Sequence, residues 1–257
     1  MLHTAHKTGA FEKLAEAQFY ANRSMPRLHK SSLALEPVML KSGLFRPGNG
    51  ERCRFDDYVD VKAHGSHVIQ FRGEELRQDD ERVLVSLLKL RSGSAVDGVI
   101  KLRPRAFCRA LGWASSGEST SKLRASLVRL QLARVRIHYA DGGISLYSLV
   151  SDAHLVGSEW QVWLSPRLGQ MFDRSVTYLD MHARLSMRDG LESWLYGFLK
   201  ADACWAPFCL ADLRDMSLPS YELKEFNRHA RRALDSLCAK GQIKGYELAN
   251  GKLTVKK

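Results

Sequence analysis

Two stretches of this 257-residue chain set cationic and amide side chains at helical spacing. In SYELKEFNRHARRAL (residues 220–234), Lys224, Arg228 and Arg231 fall on one side of a helix that advances about 100° per residue, with Asn227 and Arg232 flanking them. Phe226, Ala230, Ala233 and Leu237 fall on the other side. In STSKLRASLVRLQLARVR (residues 119–136), Lys122, Ser126 and Arg129 form a polar stripe beside Leu123, Leu127 and Leu130, and Arg124 projects from the other flank. Lysine and arginine neutralise phosphates or pair with guanine edges, asparagine pairs with adenine, and the hydroxyls of Ser119 and Ser220 can donate to phosphate. Arg134, Arg136, Lys252, Lys256 and Lys257 lie in the segments that follow and could reach flanking phosphates. A charged outer face is also what any solvated helix shows, so the elements around each stretch decide between the two.

Both stretches come third in a series. Val83, Leu84, Leu87, Leu88 and Leu90 predict a helix that ends at Gly93. RPRAFCRALGW predicts a second, with Pro104 in its first turn and Gly112 as its stop. Ser119 or Thr120 can cap the third. RVRIHY and ISLYSLV then alternate around Asp141-Gly142-Gly143 as a hairpin, and EWQVWLS can add a third strand. The last 75 or so residues repeat the order. LSMRDGLESWLYGFLK has Ser186 and Asp189 at capping-box spacing, PFCLADLRDMS predicts a short second helix, and Gly241 stops the third. Asn250-Gly251 marks the tip of the closing hairpin. Helix, helix, basic helix and hairpin, twice over, predict an α+β protein of two tandem winged-helix domains, at residues 51–179 and 180–257. Residues 1–50 read as a short, weakly structured N-terminal tail or linker, with one amphipathic stretch near residues 9–23.

The net charge of +11 and pI near 9.5 fit an acidic partner. The charge is local: residues 101–139 carry nine basic side chains and one acid, Glu118, just after an acidic run of Glu74, Glu75, Asp79, Asp80 and Glu81. No membrane span or leader is read in the sequence, so a cytoplasmic location is expected. The five cysteines are odd in number and form no Cys-x-x-Cys pair, so they read as small reduced core residues. No phosphate-binding Gly-x-x-x-x-Gly-Lys-Ser/Thr loop occurs, and no His-x-His pair stands near a tyrosine. Asp56-Asp57 and Asp79-Asp80 read as solvated or helix-start residues, and His182 and His229 lack an acid–base partner. We therefore expect no enzyme activity, no catalytic residues, no metal and no cofactor.

From about Lys41 onward the chain resembles the TrfA-like family of plasmid replication initiators, through KSGLF, FRGEELRQDDERVLVSLL, RAFCRALGW, STSKLRASLVRLQ and ARLSMRDGLESWLYGFL. The resemblance implies two winged-helix domains that bind directly repeated sites, iterons, in double-stranded origin DNA as a monomer. It implies opening of adjacent AT-rich DNA, contact with its single strand, recruitment of host helicase and initiator proteins, and exchange with an inactive homodimer. The first domain would supply dimer and flanking DNA contacts, and the second base-specific contacts through Lys224, Arg228 and Arg231. Family members can also carry a Gln-x-x-Leu-x-Leu-Phe-like segment for the sliding clamp. Here the only similar run, MLKSGLF at residues 39–45, matches the lead into the first domain, which puts clamp docking in question. The alternative is a winged-helix transcriptional repressor that binds an operator without melting an origin.

Overall fold

The computed structural model describes residues 25–94, 98–202, 204 and 207–256. The amphipathic stretch near residues 9–23 and Lys257 lie outside them. Residues 25–50 are not a tail. Strand β1 (Ser32–Leu35) pairs antiparallel with a distant strand, β9 (Thr177–Asp180), and a one-turn helix α1 (Pro37–Leu40) follows. Met25, Leu33, Leu35, Met39, Leu44 and Phe45 are all buried. The pairing register, Ser32 with Asp180 through Leu35 with Thr177, spans almost the whole first domain, so no local pattern announces it.

Strands β2 (Arg54–Val61) and β3 (Val68–Glu74) form a hairpin, and α2 (Gln78–Arg91) opens the first winged helix. Short strand β4 (Ile100–Leu102) leads to α3 (Pro104–Ala110) and α4 (Gly117–Leu132). Pro104 opens α3, and Gly112, at φ 76°, provides the left-handed turn after it. The cap of α4 is Ser116, whose Oγ accepts from the Ser119 amide at 3.1 Å, so neither Ser119 nor Thr120 caps this helix. Leu123, Leu127 and Leu130 are fully buried along its inner face.

The hairpin after α4 differs from expectation. Strands β5 (Arg134–His138) and β6 (Ile144–Ser148) do not form the wing; they extend β2 and β3 into a four-stranded sheet ordered β2-β3-β5-β6. Val135, Ile137 and Tyr147 pack there with Ile69 and Phe71. The wing is the next hairpin, β7 (Val150–His154) and β8 (Trp160–Leu164), which joins β4 in the order β4-β8-β7. Alternation marks a hairpin but does not say which sheet it joins. A 3-10 turn at Pro166–Gln170 and a short α5 (Met171–Arg174) then return the chain to β9.

Helix α6 (Met181–Ser186), capped by Asp180 through the Ala183 amide at 2.7 Å, precedes α7 (Leu191–Ala201). The predicted Ser186–Asp189 capping box is absent: α6 ends at Ser186, and Ser193 Oγ accepts from the Gly190 amide at the start of α7. β10 (Phe208–Cys209), α8 (Leu210–Ser217), α9 (Leu223–Ala239), β11 (Gly245–Ala249) and β12 (Lys252–Lys256) complete the second unit. Its sheet order, β10-β12-β11, repeats that of the first wing. Asn250 and Gly251 both have positive φ, 51° and 70°, as a two-residue hairpin turn requires.

A buried polar network locks the two units together. Arg82 of α2 donates to Asp189 at 2.7 Å, to the carbonyls of Leu111 and Leu185 at 2.8 and 2.7 Å, and to that of Met187. Arg184, fully buried, pairs with Glu81 and donates to the Gln78 carbonyl at 2.9 Å. Trp194 of α7 donates its indole N–H to the Ser42 carbonyl at 2.9 Å. Most of the acidic run is therefore not solvated: Glu75, Asp79, Asp80 and Glu81 are buried, and Glu74 stays partly exposed. Asp56 and Asp57 are exposed. Of the cysteines, Cys108 alone is a buried core residue; Cys53, Cys204 and Cys209 are exposed, and all five are unpaired.

Candidate nucleic-acid interface

Helix α9 separates its two faces as its spacing predicts. Phe226, Ala230, Ala233, Leu234 and Leu237 are buried, while Lys224, Arg228, Arg231 and Arg232 are exposed. Lys224, Arg231 and Arg232 enter no ion pair among the described residues, and Arg228 makes a loose one with Glu225 at 3.5 Å. Asn227 is half-buried with Oδ1 turned inward and unpartnered, so in this rotamer it cannot offer both amide atoms to an adenine. Ser220 is exposed in the turn before the helix, and Lys252 and Lys256 are exposed on the wing. Tyr246 of β11 donates to Asp235 of α9 at 2.6 Å, fixing wing against helix; burial and that carboxylate push its phenol up to about 12.

Helix α4 treats its cations differently. Ser126 and Arg129, both named from sequence as candidate contacts, are buried. Arg129 donates to Asp80 at 2.9 and 3.1 Å and lies 3.5 Å from Glu74. Asp80 also accepts from Arg52 at 2.7 Å and from the Arg77 amide at 2.9 Å. Lys122 sits 4.4 Å over the Trp113 ring, within 3.6 Å of Asp79 and 3.8 Å of Asp189. Arg124 lies 4.8 Å over Trp160 and donates to the Leu155 carbonyl at 2.9 Å, bracing the wing. Ser119 is half-buried at the helix start. Arg134 and Arg136 belong to the four-stranded sheet: Arg134 donates to the Gln131 carbonyl at 2.8 Å, and Arg136 stacks 4.2 Å from Tyr58 and donates to Gln70.

A groove of about 590 Å³ runs between the outer face of α4 and the ends of β2 and β3. Arg54, Arg72, Arg124 and Arg134 rim it, and Phe55, Ala125, Val128 and Leu132 line it. Asp56, 3.3 Å from Arg54, and Glu74 line it as well, so four guanidiniums against two carboxylates leave a net positive track beside a helix of recognition type, suited to a phosphodiester strand. Sequence reasoning missed Arg54 and Arg72, and it also missed the exposed Arg105 and Arg109 of α3. For Arg105 and Arg109 the signal was the same helix-helix-helix order, since the second helix of this motif ordinarily crosses the backbone; Arg54 and Arg72 lie on β2 and β3, which that order does not mark.

Among the described residues no group of three or more histidine, cysteine or carboxylate side chains is placed to hold a metal, and no helix is long and apolar enough to cross a membrane. No protein-family model matches the chain, and no curated protein matches it. Solved structures do. The chain is similar to a crystal structure of selenomethionine derivatives of domains 2 and 3 of RctB, at a TM-score of 0.58 and 13% identity, covering 86% of this chain and 96% of that one. A second crystal structure of RctB domains 2–3 matches at a TM-score of 0.57 and 13% identity, covering 86% and 97%. The likeness is one of fold across nearly both chains, and the fold is α+β with two winged-helix units in tandem.

Proposed function

We propose that this chain is a non-enzymatic replication initiator of the TrfA-like kind, which binds directly repeated sites in origin DNA through two winged helices. The observation that carries the proposal is the exposed cationic face of α9, held beside a lysine-bearing wing and joined through buried ion pairs to a second unit of the same build. A rigid joint presents two reading heads at one fixed spacing, which suits a repeated site on one face of the duplex, about 10 base pairs from head to head. The TrfA-like sequence resemblance supports origin melting, recruitment of host helicase and initiator proteins, monomer–dimer exchange and a bacterial cytoplasmic setting.

The test is recovery of bound fragments from sheared DNA of the source replicon at about 150 mM salt, where non-specific phosphate binding is weak. Enrichment of direct repeats beside AT-rich DNA is expected, with permanganate reactivity appearing in that DNA on binding. A single inverted repeat without melting would replace the initiator by a repressor. Nicking of supercoiled plasmid in divalent metal would overturn the non-enzymatic reading.

A further inference from the structure

The loop at residues 46–53 lies between the starts of the two recognition helices. On one side, a cavity of about 410 Å³ is shared by Gly48, Asn49, Gly50 and Arg52 with Lys122 of α4 and the two carboxylates beside it, Asp79 and Asp189. On the other, a cavity of about 570 Å³ is shared by residues 46–51 with Ser220, Tyr221 and His229 around the start of α9. We propose that residues 48–50 form a third DNA-contacting element, seated on the backbone and minor-groove edge of the duplex between the two helices. This deepens the function proposed above and rests on both helices engaging one duplex.

Three features suit the loop to that place. First, it is held rigidly: Arg77 donates to the carbonyls of Gly50 and Glu51 at 2.8 Å each, Arg52 to that of Glu75 at 2.7 Å, and Arg46 pairs with Glu75 at 3.0 Å. A loop ordered before binding loses less entropy when it docks. Second, Gly48, Asn49 and Gly50 are exposed, and the two glycines have no side chain to hold a backbone at a distance. Third, Asn49 carries an amide that can donate to the acceptors lining a minor groove, the chemistry by which such grooves are read. Two recognition helices entering successive major grooves on one face leave the intervening minor groove opposite whatever lies between them. The three anchoring arginines are matched by Glu75, Asp79 and Asp80, so the contact is one of shape and hydrogen bonding rather than of net charge. Glu51, exposed at the loop's edge, opposes binding.

The test uses the full chain and a duplex that the wild type selects from a random-sequence pool. Asn49→Asp is expected to weaken binding about tenfold at 150 mM salt and to flatten the salt dependence by about one phosphate equivalent. Glu51→Gln is expected to tighten binding and steepen that dependence. Hydroxyl-radical footprinting should show protected sugars between the two major-groove contacts with the wild type, and loss of that protection with Asn49→Asp. Ser66→Asp, at the exposed β2–β3 turn, adds the same charge elsewhere and should change binding far less. Equal losses from Asn49→Asp and Ser66→Asp, or an unchanged footprint, would overturn the loop assignment while leaving the two-headed reading intact. A wild-type chain that selects no duplex would overturn both.

Discussion

Helices α4 and α9 occupy the same place in two copies of one architecture, yet their cations meet different partners. On α4, Arg129 is buried against Asp80, Arg124 braces the wing, and Lys122 is shared by Trp113, Asp79 and Asp189. On α9, Lys224, Arg231 and Arg232 face solvent without an ion pair among the described residues. The same motif serves two ends. In the first unit the cations of α4 form a frame that holds the molecule together, while Arg54, Arg72, Arg105 and Arg109 stay outward; on α9 the cations themselves face outward. The acids that occupy the cations of α4 come from α2 and the interdomain joint, so the frame and the joint are one network.

The largest expected effect lies in that network. Asp80 is fully buried and accepts from Arg52, Arg129 and the Arg77 amide. Asp80→Ala leaves the buried Arg129 with only Glu74, 3.5 Å away, takes one of its two nearest acids from Arg52, and should cost about 3–5 kcal/mol in urea unfolding, as removal of one partner from a buried pair does. Arg231→Ala should leave stability within about 0.5 kcal/mol of wild type, as expected for an exposed position. Equal stability losses would erase the distinction between the two helices.

A second effect of similar size belongs to the first unit alone. Glu36, buried between β1 and α1, accepts from Tyr139 at 2.8 Å, and its Oε2 has no partner. Burial raises its carboxyl to about 7, against the smaller lowering influence of Tyr139, Arg174 and Tyr147. An acid raised on folding favours the native state fully below its unfolded value near 4.5, and that contribution is lost as pH rises towards 7. Glu36→Gln should remove this fall and gain up to about 3 kcal/mol above pH 7. A wild type whose stability is flat between pH 4.5 and 7 would sink this account.

Much of the architecture was legible because its signals are local. Prolines, positive-φ glycines and leucine spacing mark α2, α3, α4 and α9 with little reference to distant residues. What was not legible depends on distant pairing. Strand β1 finds its partner across the first domain, and β5–β6 joins a sheet already begun by β2–β3. The stripe Lys122, Ser126 and Arg129 looked uniform because angle alone ranks the three together. Only Ser126 and Arg129 are buried, and Arg129 meets its buried acid, Asp80, whereas Lys122 stays partly exposed over Trp113. The acidic run at residues 74–81, next in sequence to the basic run at 101–139, was the available signal: two opposite charge blocks so close can satisfy each other before any partner does.

Base readout gives the next effect. Arg228→Ala should relax preference at one position and weaken binding to the selected duplex by about 1–3 kcal/mol if the guanidinium reads a base edge. Binding weakened alike on every sequence makes Arg228 a phosphate contact, and the base-specific role then shifts to Arg231 or Lys224. Ser126→Ala, on the inner face of α4, should leave sequence preference untouched.

The smallest effect compares one lysine from each helix. Lys224→Met should reduce the slope of log affinity against log salt by about one, the signature of a lost phosphate contact. Lys122 already lies within ion-pair distance of two carboxylates and over an indole ring, so a phosphate must compete with them for its ammonium. Lys122→Met should therefore change that slope by less than half as much, with any stability loss below about 1 kcal/mol because the ion pairs are partly exposed. If instead the two variants flatten the slope equally, Asp79 and Asp189 release Lys122 when DNA arrives. Lys122 would then be a phosphate contact held in reserve by the joint, and the contrast between the two helices would describe the free protein alone.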